Sequence, residues 1–488
     1  MPPSTAPALD RERLLERFTR IRARTRAMFD LLDDRAYYAR PIPLRNPIVF
    51  YEGHLPAFAV NTLIRRGLGR PGVDAHLERI FERGIDPESE ATAIARGDPA
   101  WPSREVVRAY AVEADRLIAD ALASADLDRD DRPLLRRAQA VWTILEHEEM
   151  HQETLAYIWH ELPVSSKRKP ALYTTLPPRV VHVTIEPGAQ VRIPAGVATL
   201  GTDEGVEPFA WDNELPMHRV EVDAFSIDVH NVTNADYLAF VDDGGYRNPR
   251  WWRDEDWAWV QQDGVTHPHF WIDPETGLHR RSREAAEVRA REAAKAWQWR
   301  AMFEHVPLPL DWPVYVTWAE ANAYARWRGG RLMTEPEFDR AAYGRDRGAG
   351  IGDRGAGIGD PGSRAPDPQE SRFPWGNDFP FRAPANFDFR RWDPEPVGVS
   401  PAAASAFGVH DLTGNGWEWT STPFGPFDGF APLVSYPEYS ADFFDGQHFV
   451  LKGASPFTAR GLVRRGFRNW FRPRYPYVYA SFRCVSSL

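Results

Sequence analysis

Two histidines set one helical turn apart are the residues in this chain best placed to do chemistry. The run Trp142-Thr-Ile-Leu-Glu-His147-Glu-Glu-Met-His151-Gln-Glu153-Thr-Leu-Ala-Tyr-Ile-Trp159 has helical periodicity, and residues four apart share one face of an α-helix. Ile144, His147, His151, Leu155, Ile158 and Leu162 fall on one stripe, while Glu146, Glu148, Glu149 and Gln152 lie off it. Both imidazoles therefore stand where the pattern expects core residues. Such a pair is a metal-ligand geometry lacking its third ligand. A pair of core histidines hydrogen-bonded to other helices would read the same way. His54, between Gly53 and Leu55 at the entrance to a second helix and close to Phe50 and Phe58, is the best candidate for the third ligand. His76 stands among Asp74, Glu78 and Arg79, and His160 lies about 100° off the stripe, so both are expected at the surface. Glu153 lies about 200° around the helix from His151 and is expected to support another helix rather than share a metal. Three neutral imidazoles suit Zn²⁺ and Fe²⁺ equally. His267-Pro-His269 is a second pair, read as part of a tryptophan-rich loop rather than as a metal site.

The elements that must carry these residues follow from the apolar spacing. Leu14, Phe18, Ile21, Met28 and Leu32 predict a helix over Leu9 to Asp33. A turn-rich stretch (Pro41, Pro43, Asn46, Pro47) and the apolar run Ile48-Val49-Phe50-Tyr51 lead to a second helix over Ala57 to Arg66. Ser103 can cap a third, with Val106, Val107, Tyr110, Ala114, Leu117 and Leu122 along it. The fourth runs from about Pro133 to Leu162 and is stopped by Pro163. Four helices around one inward-facing polar site predict a four-helix bundle over residues 1–165. A linker over 166–179 leads to an irregular α+β domain over 180–488. Short alternating segments such as Val180-Val-His-Val-Thr-Ile and His218-Arg-Val-Glu-Val-Asp-Ala-Phe dominate there. Helical patterns are confined to Thr233–Asp242, Glu284–Glu304, Trp318–Trp327 and Glu335–Tyr343. The tandem copies Asp346-Arg-Gly-Ala-Gly-Ile-Gly352 and Asp353-Arg-Gly-Ala-Gly-Ile-Gly359 follow no strand and lack a Gly-Lys-Ser/Thr ending. They read as a duplicated surface loop rather than a phosphate cradle.

Composition bounds the class. At 488 residues the chain is too long for one ordinary core. Its hydrophobic content of 43% and charged content of 26% describe a soluble globular protein. A net charge of −10 argues against nucleic acid or an anionic membrane as partner. A single cysteine, Cys484, excludes an internal disulfide and fits a reducing compartment. With no apolar run of membrane-spanning length and no signal-like start, a cytoplasmic protein is expected. Toward the C-terminus aromatic and polar residues interleave, in Asn415-Gly-Trp417-Glu-Trp419-Thr, Tyr436-Pro-Glu-Tyr439 and Phe467-Arg-Asn469-Trp470-Phe471-Arg472-Pro-Arg474-Tyr475. An aromatic wall can hold a quaternary ammonium, and a tyrosine can supply an acidic O–H. The bland alternative, a tryptophan-rich core with buried arginines, is the expectation for Trp417, Trp419 and Arg483.

These motifs together resemble one family. Gly53-His54, His147-x-x-x-His151-x-Glu153, Arg331-Leu-Met-Thr-Glu335, Phe373-Pro-Trp-Gly-Asn377, Gly414-Asn-Gly-Trp-Glu-Trp-Thr420 and Ser481-Phe-Arg-Cys484 are similar to the non-haem iron sulfoxide synthases. That family includes the ergothioneine, ovothiol and selenoneine enzymes. The resemblance implies an N-terminal DinB-like four-helix bundle and a C-terminal domain of the formylglycine-generating-enzyme, C-type-lectin-like fold. It implies Fe²⁺ held by His54, His147 and His151 at the domain interface. It also implies O₂-dependent joining of a thiol sulfur to an imidazole carbon of a histidine derivative, with oxidation of that sulfur to the sulfoxide. By the same resemblance Tyr436 is catalytic, as a proton or hydrogen-bond donor, and Tyr439, Asn469 and Trp470 contact the substrate. In relatives that use γ-glutamylcysteine an acid follows the Asn-Trp pair, and a glutamine often precedes the second ligand of the run. Here those positions are Phe471 and Met150, which favours cysteine as donor. The expected partners are hercynine or histidine, cysteine or another thiol or selenol, and O₂, in a monomer or homodimer with no nucleic acid or membrane. Histidine-directed, ovothiol-type chemistry is the alternative within the class, suggested by the contexts of His54 and His147. A non-redox zinc protein, scaffold or thiol transferase, is the alternative outside it. Formylglycine-generating activity needs a reactive cysteine pair, which Cys484 alone does not supply.

Overall fold

In the computed structural model, residues 9–82, 100–171, 173, 188–273, 297–345, 370–379 and 384–488 are described. The chain divides into two units: residues 1–172 with Leu433–Pro437, and 173–432 with 438–488. The first is helical. Helix α1 (Arg11–Asp30) starts where the Asp10 side chain accepts from the Arg13 N–H, and it buries Leu14, Phe18, Ile21, Met28 and Phe29. Helix α2 (Ile48–Ala59) begins earlier than the sequence pattern predicts, with the apolar run as its first turn, and continues into a π-helical stretch, Val60–Gly67. Every residue of α2 except Phe58 is buried. With no polar face there is no 3.6-residue alternation to read, and Pro56 looks like a start because it has no N–H to give. His54 consequently sits in mid-helix, not at a helix entrance.

A short helix α3 (Ala75–Ile80) is capped by Asp74, and α4 (Arg104–Ser124) by Ser103 as expected. Helix α5 (Gln139–Glu161) follows Arg137 and Ala138, both at positive φ, and stops at Leu162 ahead of Pro163. Helix α1 packs on α4 and α5, and α2 with its π-helical extension packs on α4 and α5. The stripe of α5 is buried apart from His151, which is half-buried, and Glu146, Glu148, Glu149 and Gln152 off the stripe are buried too. Partners on α1 make this tolerable: Arg22 Nη1 and Thr25 Oγ1 donate to Glu148 Oε1 at 2.8 and 2.6 Å, and Arg17 pairs with Glu149. Gln152 Nε2 donates to the Ile21 carbonyl at 2.9 Å. His160, expected at the surface, is 3% exposed. Helix α5 is enclosed on nearly all sides, so distance from the apolar stripe does not mean solvent.

The second unit is the irregular α+β domain. Strands β1 (Gln190–Ile193), β4 (Phe225–Asp228), β13 (Cys484–Ser487) and β8 (Arg331–Leu332) form one sheet in that order. Strands β2 (Gly196–Leu200) and β3 (His218–Val222) pair as a ribbon. Strands β5 (Trp271–Ile272), β6 (Gln298–Arg300) and β7 (His305–Pro307) form a third sheet. The fourth has the order β11 (Asn469–Phe471), β10 (Phe449–Ala454), β9 (Gly416–Pro423), β12 (Ala480–Ser481). Helices α6 (Asn234–Asp242), α8 (Trp318–Trp327) and α9 (Glu335–Tyr343) stand where the patterns predict them. Helix α7 (Asp254–Asp263) was not expected. The expected helix over 284–304 is corrected at its end: β6 occupies 298–300, with Trp299 opposite Trp271 and both buried. Residues 284–296, the segment Val180–Ile185 and the tandem copies over 346–359 lie outside the described residues. Trp417, Trp419 and Arg483 are core, as expected: all are at most 1% exposed, and Arg483 Nε and Nη2 donate to Glu418 at 2.9 and 2.8 Å.

Candidate metal centre

Helices α2 and α5 bring three imidazoles together. His54, His147 and His151 each offer a ring nitrogen, all within 4.8 Å of one another. Among the described residues no other group of three His, Cys, Asp or Glu converges in this way. Nε2 of His147 and Nε2 of His151 are 3.2 Å apart. The Nδ1 of His54 lies 2.9 Å from the Phe81 carbonyl. A carbonyl only accepts, so Nδ1 carries the proton and Nε2 keeps its lone pair. Phe81 caps the C-terminal end of α3, where carbonyls are left over from the helical ladder. Gly53 makes the contact sterically possible, because a Cβ there would stand 2.4 Å from the Phe81 ring.

Burial also decides the charge. It pushes His54 down to about 4 against the Phe81 hydrogen bond, which pulls the other way. His147 and His151 lie well below the ordinary histidine range, first through burial, then through their histidine neighbours and, for His151, Arg45. All three are neutral lone-pair donors at pH 7. The Nδ1 of His151 is buried with no hydrogen-bond partner, an unusual cost for a merely structural histidine. This donor set fits a divalent transition-metal cation. Phe50 stacks on His54 with centroids 4.8 Å apart, and Phe58 on His147 at 3.6 Å, so apolar faces hold two of the rings. Both phenylalanines flank His54 in the sequence, but their stacking on the imidazoles appears only in the fold. The spacing Phe50, His54, Phe58, four residues each, was the signal. Glu153 is buried but not part of the group, and His76 is exposed.

Leu433–Pro437 belongs to the same unit and carries Tyr436, whose ring centroid is 6.0 Å from that of His147 and 5.4 Å from that of Phe58. The other three expected substrate contacts gather in the second unit. Tyr439 stacks on Trp211 at 4.0 Å and meets Trp470 edge-on at 5.2 Å, while Trp470 stacks on Phe424 at 4.2 Å. Asn469 is beside Trp470 on β11, its Oδ1 accepting from the Trp470 N–H at 2.9 Å. Phe471 stacks on Tyr475, Arg474 Nε is 3.0 Å from Asp256 Oδ1, and Arg472 is exposed. His267 and His269 are buried apart from any ligand group. One lies against Trp297 at 5.2 Å, the other against Tyr477 at 5.3 Å.

Comparison with known proteins matches both parts of the chain to family models. Residues 17–155 match the DinB superfamily, and residues 179–488 match the sulfatase-modifying factor enzyme 1-like domain. Over its whole length the chain is similar to "Hercynine oxygenase" from Mycolicibacterium smegmatis, 33% identical over 97% of this chain and 98% of that one. A "Hercynine oxygenase" from Mycobacterium tuberculosis is 33% identical with the same two coverages. "Ergothioneine biosynthesis protein 1" of Neurospora crassa is 28% identical over 94% of this chain and 56% of that longer one.

Proposed function

The chain belongs to the hercynine oxygenase family of sulfoxide synthases, and from that premise we propose that His54, His147 and His151 hold iron(II) and that cysteine is the sulfur donor. It is an oxidoreductase of ergothioneine biosynthesis that joins a thiol to the imidazole of hercynine at the expense of O₂. The observation that carries the metal assignment is the convergence of three neutral imidazoles in mid-helix, His54 and His147 buried and His151 half-buried. The reaction balances as one imidazole C–H and one S–H broken, and one C–S and one S=O bond made. The second oxygen atom of O₂ leaves as water, so O₂ takes all four electrons.

Iron(II), when bound, would supply open positions for a thiolate and for O₂ activation. Around it, the residues of this chain set the conditions. The His54 Nδ1–H bond to Phe81 fixes the tautomer and orientation of that ring. Phe50 and Phe58 keep water from the faces of His54 and His147. Tyr436 offers a phenolic proton near His147. Tyr439 and Trp470 present aromatic faces, which attract a trimethylammonium and so favour hercynine over histidine. Phe471, in place of an acid, gives a substrate amine no counter-charge and supports cysteine over γ-glutamylcysteine.

The deciding experiment loads the protein with Fe²⁺ anaerobically, adds hercynine and cysteine, admits O₂ and reads products by mass. The cysteinyl sulfoxide is expected, with cysteine outcompeting γ-glutamylcysteine and hercynine outcompeting histidine. Absence of any thioether or sulfoxide with every thiol or selenol tried would overturn the reading. Stoichiometric zinc with no substrate-dependent O₂ uptake would support a non-redox zinc protein in its place.

A further inference from the structure

Tyr436 is useful only if it is held beside the metal ligands, and no regular element holds it: it lies in the turn closed by its own N–H on the Leu433 carbonyl at 3.0 Å. One residue earlier, Ser435 is fully buried, and its Oγ is 2.7 Å from Oγ1 of Thr143, also fully buried. Thr143 stands one turn before His147 on α5, on the same face. Either hydroxyl can be the donor in this contact; with the Thr143 hydroxyl donating to the Gln139 carbonyl at 2.9 Å, Ser435 is the donor to Thr143 Oγ1. Arg66, on the π-helical stretch, adds two donors from the other side: Nη1 to the Ser435 carbonyl and Nη2 to the Val434 carbonyl, each at 3.2 Å.

We propose that Thr143 and Ser435, assisted by Arg66, are positioning residues: a buried hydroxyl latch that seats Tyr436 against His147. The inference rests on the catalytic reading of Tyr436 given above. The α5 face thus does two jobs one turn apart, presenting a metal ligand and fixing the register of the residue that serves it. The buried hydroxyl pair is the stronger part, because Arg66 is exposed and its bonds compete with water.

Three variants on the full chain test it: Thr143→Val, Ser435→Ala and the conservative Thr143→Ser. Two readouts are taken, amide hydrogen exchange over Leu433–Pro437 in metal-free protein, and the ratio of sulfoxide to simple thiol oxidation in the Fe²⁺ protein. Exchange over the segment is expected to quicken about tenfold in Thr143→Val and Ser435→Ala. The sulfoxide share should fall about fivefold or more through misplacement of the phenol. Thr143→Ser should restore both, and bound iron should be unchanged throughout. Ser435→Ala leaves Thr143 its own donor bond and covers the case in which Thr143→Val fails to fold. If Tyr436→Phe diverts turnover but the latch variants do not, the latch is wrong and the tyrosine assignment stands. If Tyr436→Phe itself keeps wild-type product ratios, the tyrosine assignment falls. Exchange alone then judges the latch: unchanged protection overturns it, and lost protection sustains it as the seat of the segment.

Discussion

Two kinds of buried polar site occur in this protein, and they are built in opposite ways. In the second unit, opposite charges meet. Arg483 and Glu418 are both fully buried and doubly bonded, and Arg468 reaches Glu335 through Nε and Nη2 at 2.9 and 3.0 Å. Arg464 does the same with Glu214, at 2.9 and 2.6 Å. In the first unit, the inward face of α5 gathers three groups of one kind, all lone-pair donors, with no acid among them. Complementary pairs are complete without a ligand and read as structure. A convergent set of like donors is incomplete by itself, and only an added cation completes it. The first unit also contains the complementary kind, in Arg22 with Glu148 and Asp115, so the contrast lies between sites rather than between fold types.

Breaking each site should therefore have a different consequence. The largest effect is expected for His151→Ala, which should abolish stoichiometric metal binding, read by elemental analysis, while the denaturation midpoint of metal-free protein hardly moves. A collapse of the fold in that variant would erase the distinction. Arg483→Ala should do the reverse: it leaves Glu418 buried and uncompensated, at a cost of about 3–5 kcal/mol, measurable as a lowered urea midpoint or loss of soluble protein. The pH dependence sharpens the contrast further. His54 is held neutral, its pKa pushed down to about 4 by burial. The unfolded chain therefore binds more protons there between about pH 6.5 and 4. The contribution of His54 is fully present above pH 6.5 and is lost as pH falls through 4, worth about 3 kcal/mol. Denaturation of metal-free protein across that range should show a slope to which His147 and His151, also held low by burial, add their own share, and His54→Phe should reduce that slope without abolishing it. The smallest effect is expected for Arg474→Ala. Its partner Asp256 also accepts from Arg253, and the Arg474 side chain is 35% exposed. A loss below about 1 kcal/mol is expected, with no change in donor preference; a changed preference would place Arg474 in the substrate site.

How much of this could be read in advance differs residue by residue. The pairing of His147 with His151 followed from helical spacing, and the core character of Trp417, Trp419 and Arg483 from their apolar company. His54 does converge on that pair, but in mid-helix rather than at a helix entrance. A helix buried on nearly all sides has no hydrophobic alternation, and Pro56 imitates a boundary. His160 is buried for a related reason, since α5 is enclosed on nearly all sides and its off-stripe positions meet protein rather than water. The strand at 298–300 lies inside the helix expected over 284–304, because three residues are too few to show the alternation that separates a strand from a helix end.

The sequence by itself determined the types of the ligands, the one-turn spacing of His147 and His151, the cap at Ser103 and the positions of helices α6, α8 and α9. All of these depend on near neighbours along the chain. Only the tertiary structure decided that His54 converges on the α5 pair, that all three imidazoles are neutral, and that Leu433–Pro437 completes the helical unit. Convergence and desolvation depend on what surrounds a side chain. Those surroundings come from segments far apart in sequence, which no local period records.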